Sequence, residues 1–328
     1  MFYRLGETMP AKKVLERQQQ TDELYLPRYF DIDQEYKLAG GIERKAEMVV
    51  FGSSRMFPIV GEIVHNSSFY NFSIPSSHNR GVKQIIQILR ILEKNNALPL
   101  EIIWGIDSWV FNPDHANNQR SLADRILEKV GGNIFYKIYR FVKLRCNAYS
   151  LMAKEQKNVL KYILFPEKFS GIGLNAKLVH SGFRADGSVF YIDKYAEVKV
   201  RTQEQWEQFL SGKYYTNSNS DQLDQGALDE LDALLKFCQK HNIKITGLLL
   251  PFRPDLYDAI IKSKNRGAYL QKFCDEVPTI FATNGFIAYD FSSPDKFNLK
   301  IEDFRDPTHP LFYVYSQMLK MTVKNFAY

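Results

Sequence analysis

Two short strings near opposite ends of this 328-residue chain carry residue types suited to nucleophilic catalysis: FGSSR, Phe51 to Arg55, and DPTHP, Asp306 to Pro310. The first sets two serines and an arginine directly after the apolar run Met48-Val49-Val50-Phe51. The second sets the Asp306 carboxylate three residues before the His309 imidazole. A serine hydroxyl is a poor nucleophile until a base removes its proton, and an imidazole is a reliable base only when a third group fixes its tautomer. A serine of the first string, His309 and Asp306 together supply those groups. Taken singly, each has an ordinary explanation: a turn serine after a strand, a loop histidine, an Asx-turn aspartate before Pro307.

The elements that must bring the strings together follow from hydrophobic patterning. Ala46 to Phe51, Ser68 to Ile74, Leu100 to Ile106, Ile243 to Leu250 and Phe286 to Phe291 read as strands. Arg80 to Asn95 has apolar residues at helical spacing, with Asn79 as a candidate cap. Asp224 to His241, residues 255–275 and Leu311 to Asn325 also read as helices. Strand and helix in alternation predict an α/β domain with a mostly parallel sheet covered on both faces. Residues 1–45 read as an N-terminal arm with a short helix, and 46–328 as the domain. The segment from about 115 to 223 is too long for an ordinary crossover and reads as an insertion. It carries helical patterns over 116–166, a hairpin signal at Asp186-Gly187 and a polar loop over 211–222. In open parallel sheets, ligands bind beyond the carboxyl ends of the strands. Ser53 and Ser54, Asp107 and Ser108, Phe252 and Arg253, and the Asp306–His309 string all follow strands, so one sheet edge can gather them.

Composition excludes several classes. Net charge is +6, with no block of five or six basic residues and no nucleic-acid motif, so nucleic acid is not an expected partner. The three cysteines, Cys146, Cys238 and Cys274, fit no metal-ligand spacing, and their odd number does not suggest a disulfide framework. His65, His115, His180 and His241 show no partner spacing, so no metal and no cofactor is expected. No apolar stretch of about 18 residues is present. GxSxG is absent, since Met56 stands at the second glycine position, which argues against an α/β-hydrolase nucleophile elbow. Aromatic residues make up 14% of the chain, enough for a large core or for a groove that holds sugar or acyl groups.

The residues described so far resemble the SGNH (GDSL-like) hydrolase superfamily. Gly52-Ser53-Ser54 is similar to its Gly-Asp-Ser block, with serine in place of aspartate, and Asp306-Pro307-Thr308-His309 matches its Asp-x-x-His block. The resemblance spans residues 46–110 and 243–325 and leaves the arm and the insertion unexplained. It implies a flavodoxin-like three-layer sandwich with a five-stranded parallel sheet, and it marks Ser54 as nucleophile, His309 as base and Asp306 as its orienting acid. In the second block, Ser76 falls at the oxyanion-donor position. In the third, Asp107 stands where the family has an asparagine, and an ionised carboxylate there repels a developing oxyanion. Arg55 is expected to pair with Asp107. His78 is a candidate for lining the mouth, and Arg253 and Arg305 for holding an anionic sugar or phosphate.

The implied activity is that of a serine-dependent esterase or O-acyltransferase on acyl groups of a cell-surface or exported glycan. The GSSR-type subgroup implies an extracytoplasmic location, an anchor preceding residue 1 and a membrane-bound O-acyltransferase as partner, while a cytoplasmic location stays open. Two other readings remain. One is a catalytically degenerate protein that binds polysaccharide or an acyltransferase, which Asp107 favours. The other is a phosphoryl or nucleotide binder, disfavoured because no glycine-rich phosphate loop follows the first strand.

Overall fold

A computed structural model describes residues 2–28, 33–74, 81–113, 161–162, 164–191, 207 and 221–323. The expected helices over 116–166 and the polar loop over 211–222 lie almost wholly outside these residues, as do Asn79, Ser76, His78 and Cys146.

Five strands build the central sheet: β1 Met48–Phe51, β2 Phe69–Asn71, β3 Glu101–Ile106, β6 Lys244–Leu249 and β7 Ile287–Asp290. They run parallel in the order β2-β1-β3-β6-β7. This order is compatible with a flavodoxin-like sheet. The two remaining strands, β4 Gly182–Phe183 and β5 Val189–Phe190, form a separate antiparallel hairpin.

Strand residues sort to the two sheet faces by alternation. Val49, Phe51, Ile102, Trp104 and Leu249 enter one core, while Met48, Val50, Ile103 and Leu248 enter the other. Burial on both sides explains why the strands read as continuous apolar runs. The first face is covered by α4 (Val82–Lys94), α6 (Gln225–Lys240), α7 (Pro254–Lys262) and α8 (Lys264–Thr283). The second is covered by Met56, Ile59 and Val64 and by α9 (Phe312–Val323), through Val314, Met318 and Leu319. At the start of α6, Asp224 Oδ1 accepts the Ala227 N–H at 2.8 Å, the capping bond its position suggests. Helix α4 begins instead after Gly81, which makes no side-chain cap.

The segment read as one helix over 255–275 is two. Ser263 is extended (φ −85°, ψ 120°) and breaks the chain between α7 and α8, so that Leu256 and Ile260 on one side and Leu270 and Phe273 on the other reach the same core. Helix α8 then continues to Thr283 through Pro278. Burial of Val277 and Phe281 outweighs the backbone bond that a helical proline forfeits.

Residues read as an arm form α1 (Phe2–Leu5), α2 (Ala11–Thr21) and α3 (Asp33–Arg44). With the described part of the insertion, which includes α5 (Leu174–Val179), they make a third core, from Val14, Leu15, Tyr25, Tyr36, Ile172 and Phe183, which Phe57 joins to the sheet domain. Backbone bonds knit the two segments: Tyr25 and Phe183 exchange a pair at 2.9 Å, Leu26 N–H donates to Ile172 O at 2.9 Å, and Gly173 N–H donates to Leu5 O at 2.7 Å. Lys37, 2% exposed, donates to the carbonyls of Asn71 (2.7 Å) and Gly187, joining α3, the end of β2 and the hairpin turn. The Asn71 N–H adds a bond to Asp186 O at 2.8 Å. The hairpin thus sits beside the carboxyl edge of the sheet.

Helix α3 approaches β2 closely at Gly40 and Gly41, where an added Cβ would overlap Tyr70 and Phe72 respectively. Alanine is the better helix former by about 1 kcal/mol, yet Gly41→Ala is expected to destabilise the protein by about 1–3 kcal/mol through overpacking. A urea-unfolding midpoint at or above wild type would contradict this packing.

Candidate functional site

Gly52 leaves β1 at φ +151°, a conformation side-chain-bearing residues rarely adopt, and a Cβ there would lie 2.5 Å from Met56 Cγ. The chain then enters a 3₁₀ turn, Ser54–Met56, with the Ser53 hydroxyl accepting the Arg55 N–H at 3.2 Å. Ser54 is half-buried at the start of this turn. Across the sheet edge, the loop before α9 closes on itself through Arg305 N–H to His309 O at 2.9 Å. The two distant strings meet here. Ser54 Oγ lies 2.9 Å from His309 Nε2, and His309 Nδ1 lies 2.8 Å from Asp306 Oδ1.

Asp306 is well suited to orient the ring. Its Oδ1 also accepts the backbone N–H groups of Thr308 at 3.0 Å and His309 at 3.1 Å. Burial opposes its ionisation, but His309, the Thr308 N–H and nearby Arg305 outweigh burial and hold the carboxyl well below its ordinary range. With Nδ1–H directed to this carboxylate, Nε2 is left free to accept the Ser54 proton. Among the described residues, no acceptor engages the Ser54 N–H, which is available to a developing oxyanion.

Beneath the triad lies a buried ion pair. Arg55 Nη1 donates to Asp107 Oδ1 at 2.7 Å, with side-chain exposures of 1% and 0%. Arg55 Nε donates to Thr308 O at 2.6 Å, and Nη2 donates to Pro251 O. The guanidinium also packs over the rings of Phe252 (5.3 Å) and Trp109 (5.8 Å). Burial raises the Asp107 carboxyl above its ordinary value, and the Arg55 charge pulls it part of the way back. Whether the carboxyl is ionised beside Arg55 or protonated, the pair presents no net negative charge to the Ser54 site.

The structure places the remaining candidates differently. Arg253 is committed to Asp255 by two bonds of 2.8 Å, and its backbone N–H donates to Pro307 O at 3.1 Å, bracing the triad loop. Arg305 borders a cavity of about 260 Å³ that abuts His309 and is also lined by Arg184, Phe190, Tyr191 and Phe312. Sequence reasoning missed the hairpin's share of this wall. Asp186-Gly187 announced the turn, and Gly187 adopts φ +78°, but no local signal reports what a hairpin faces. It also missed the carbonyls of Thr308 and Pro251, because backbone acceptors leave no trace in residue type.

Burial raises the thiols of Cys238 and Cys274 to about 12, so neither offers a thiolate at neutral pH. Among the described residues, no group of three or more His, Cys, Asp or Glu side chains is placed to hold a metal ion, and no described helix is long and apolar enough to cross a membrane. No family model matches the chain, and no curated protein matches it.

Removing either member of the Arg55–Asp107 pair strands a buried charged or polar partner. Arg55→Met and Asp107→Asn are each expected to cost about 3–5 kcal/mol, and the double variant no more than the worse single one. Urea unfolding at neutral pH measures the cycle, and additive losses would show that the two do not act as a pair. Because the folded-state pKa of Asp306 is lowered, its contribution to stability is present above the ordinary carboxylate value and lost as pH falls toward the lowered one. Asp306→Asn is therefore expected to flatten the decline in urea midpoint from about pH 5 to about pH 3. An unchanged slope would count against that carboxylate.

Proposed function

We propose that the protein is a serine-dependent esterase or O-acyltransferase of SGNH type, acting on ester-linked acyl groups of a cell-surface or exported glycan. The observation that carries this reading is the linear array of Ser54 Oγ, His309 and Asp306, with links of 2.9 and 2.8 Å, at the carboxyl edge of a parallel sheet. The glycan, an extracytoplasmic location and a membrane-bound O-acyltransferase partner belong to the proposal through the resemblance of the GSSR and DPTH strings.

The chemistry runs in two halves. Ser54 Oγ attacks the ester carbonyl as its proton passes to His309 Nε2. The tetrahedral intermediate collapses, the bond to the alcohol oxygen breaks, and Nε2 returns the proton to that oxygen. An acyl group then sits on Ser54. Water or an acceptor hydroxyl attacks it, again giving its proton to Nε2, and collapse releases acid or new ester and restores the serine. Asp306 keeps Nδ1 protonated throughout, and the Ser54 N–H serves the oxyanion.

Asp107 favours a second reading. A carboxyl group at the position where the family has an asparagine, with Oδ2 buried and lacking a hydrogen-bond partner among the described residues, fits a degenerate protein that binds glycan or an acyltransferase. A fluorophosphonate probe separates the two readings. The esterase reading expects Ser54 to be labelled, labelling to disappear in Ser54→Ala, and turnover of an activated acetyl ester to fall about 10⁴-fold or more. Absence of labelling in the wild type supports the binding role instead.

A further inference from the structure

The triad's cavity is asymmetric. It borders His309 and not Ser54. In the cycle above, His309 Nε2 returns its proton to the alcohol oxygen, so the alcohol portion of the ester departs on the imidazole side. The cavity, at about 260 Å³ slightly below the common range for small-molecule sites, suits one compact alcohol group.

Its charge is equally one-sided. Arg184 and Arg305 both line it. Each lies over an aromatic ring of the same wall, Arg184 over Phe190 at 5.0 Å and Arg305 over Tyr191 at 4.5 Å. Arg184 Nη1 donates to a neutral partner, Ser188 Oγ, at 3.2 Å, and the Arg305 charge lies beside Tyr191, where it opposes the upward push of burial on that phenol. Among the described residues, neither guanidinium has a carboxylate within 4.0 Å, although Arg253 a short distance along the same edge is fully paired. Two half-buried cations on a concave wall, neither in a salt bridge among the described residues and only Arg305 sensing a neighbouring carboxylate, Asp306, form a fork for an anion.

We propose that this cavity selects esters whose alcohol portion carries a negative charge, a carboxylate or a phosphate, held between Arg184 and Arg305 with its carbon skeleton against Phe190 and Tyr191. The inference rests on the esterase reading and adds the charge of the substrate to it. It makes residues 184–191 a specificity element, which explains why the hairpin is tied so firmly to the sheet edge by Lys37.

The test uses three matched acetyl esters, of glycerol, glycerate and glycerol phosphate. Wild type is expected to show kcat/KM at least tenfold higher for one or both charged esters than for monoacetylglycerol, a preference that weakens as salt is raised. Whichever charged ester leads identifies carboxylate or phosphate as the anion. The Arg184→Gln, Arg305→Gln double variant is expected to bring that ratio close to one, while Arg305→Lys, which keeps the charge, retains a preference. A wild-type ratio near one, or a ratio that the double variant leaves unchanged, overturns the proposal even if Ser54 labels normally. If Ser54 does not label and no ester is turned over, the esterase reading fails by itself. Calorimetric titration with glycerate, glycerol phosphate and glycerol then decides the anion site. Charged ligands binding at least tenfold tighter than glycerol to wild type, but not to the double variant, sustain it, and equal binding removes it. Thermal melting shows whether the double variant is folded. If it is not, the comparison of Arg305→Gln with Arg305→Lys takes its place.

Discussion

One guanidinium fastens the site together. Arg55 leaves the turn after β1 and reaches the carboxylate that follows β3, the Pro251 carbonyl that follows β6 and the Thr308 carbonyl beside the imidazole. Four separate strand-end segments are thereby referred to a single planar group with fixed donor directions, which lysine could not reproduce. Burying that charge is costly, and a carboxylate and two carbonyls together offset the cost. Those three bonds give the 2.9 Å link between Ser54 and His309 a firm base.

This arrangement also accounts for a carboxylate at position 107, so close to Ser54. In isolation, a carboxylate beside an oxyanion is unfavourable. Joined to Arg55, it becomes part of a support that presents no net negative charge to the site. The acid that follows β3 and the arginine next to Ser54 belong to one device. The sequence hinted at this because both residues directly follow strands, and strand ends converge in a parallel sheet.

Legibility followed locality. Ser54, His309 and Asp306 could be read because each lies in a short string tied to a strand end or a terminal helix, and β1, β3 and β6 because burial on both faces writes itself as apolar runs. The break at Ser263 was hidden, since an extended serine between two amphipathic stretches leaves the apolar spacing nearly intact. The helical reading stopped at 275, whereas α8 runs on through Pro278 to Thr283 because tertiary burial of Val277 and Phe281 holds it. The cavity wall was least legible of all. Arg184 and Tyr191 reach the site because residues 2–28, Lys37, the turn after β1 and the end of β2 all hold the hairpin, contacts between segments with no shared pattern.

That dependence redraws the unit of function within the chain. The sheet begins at Met48, and a fragment cut just before it retains Ser54, His309 and Asp306. It loses the edge contact of Tyr25 with Phe183 and the Lys37 anchor, two of the ties that hold the hairpin forming one wall of the cavity beside His309. Changes in the opening helices are therefore felt at that wall, far along the chain from where they are made.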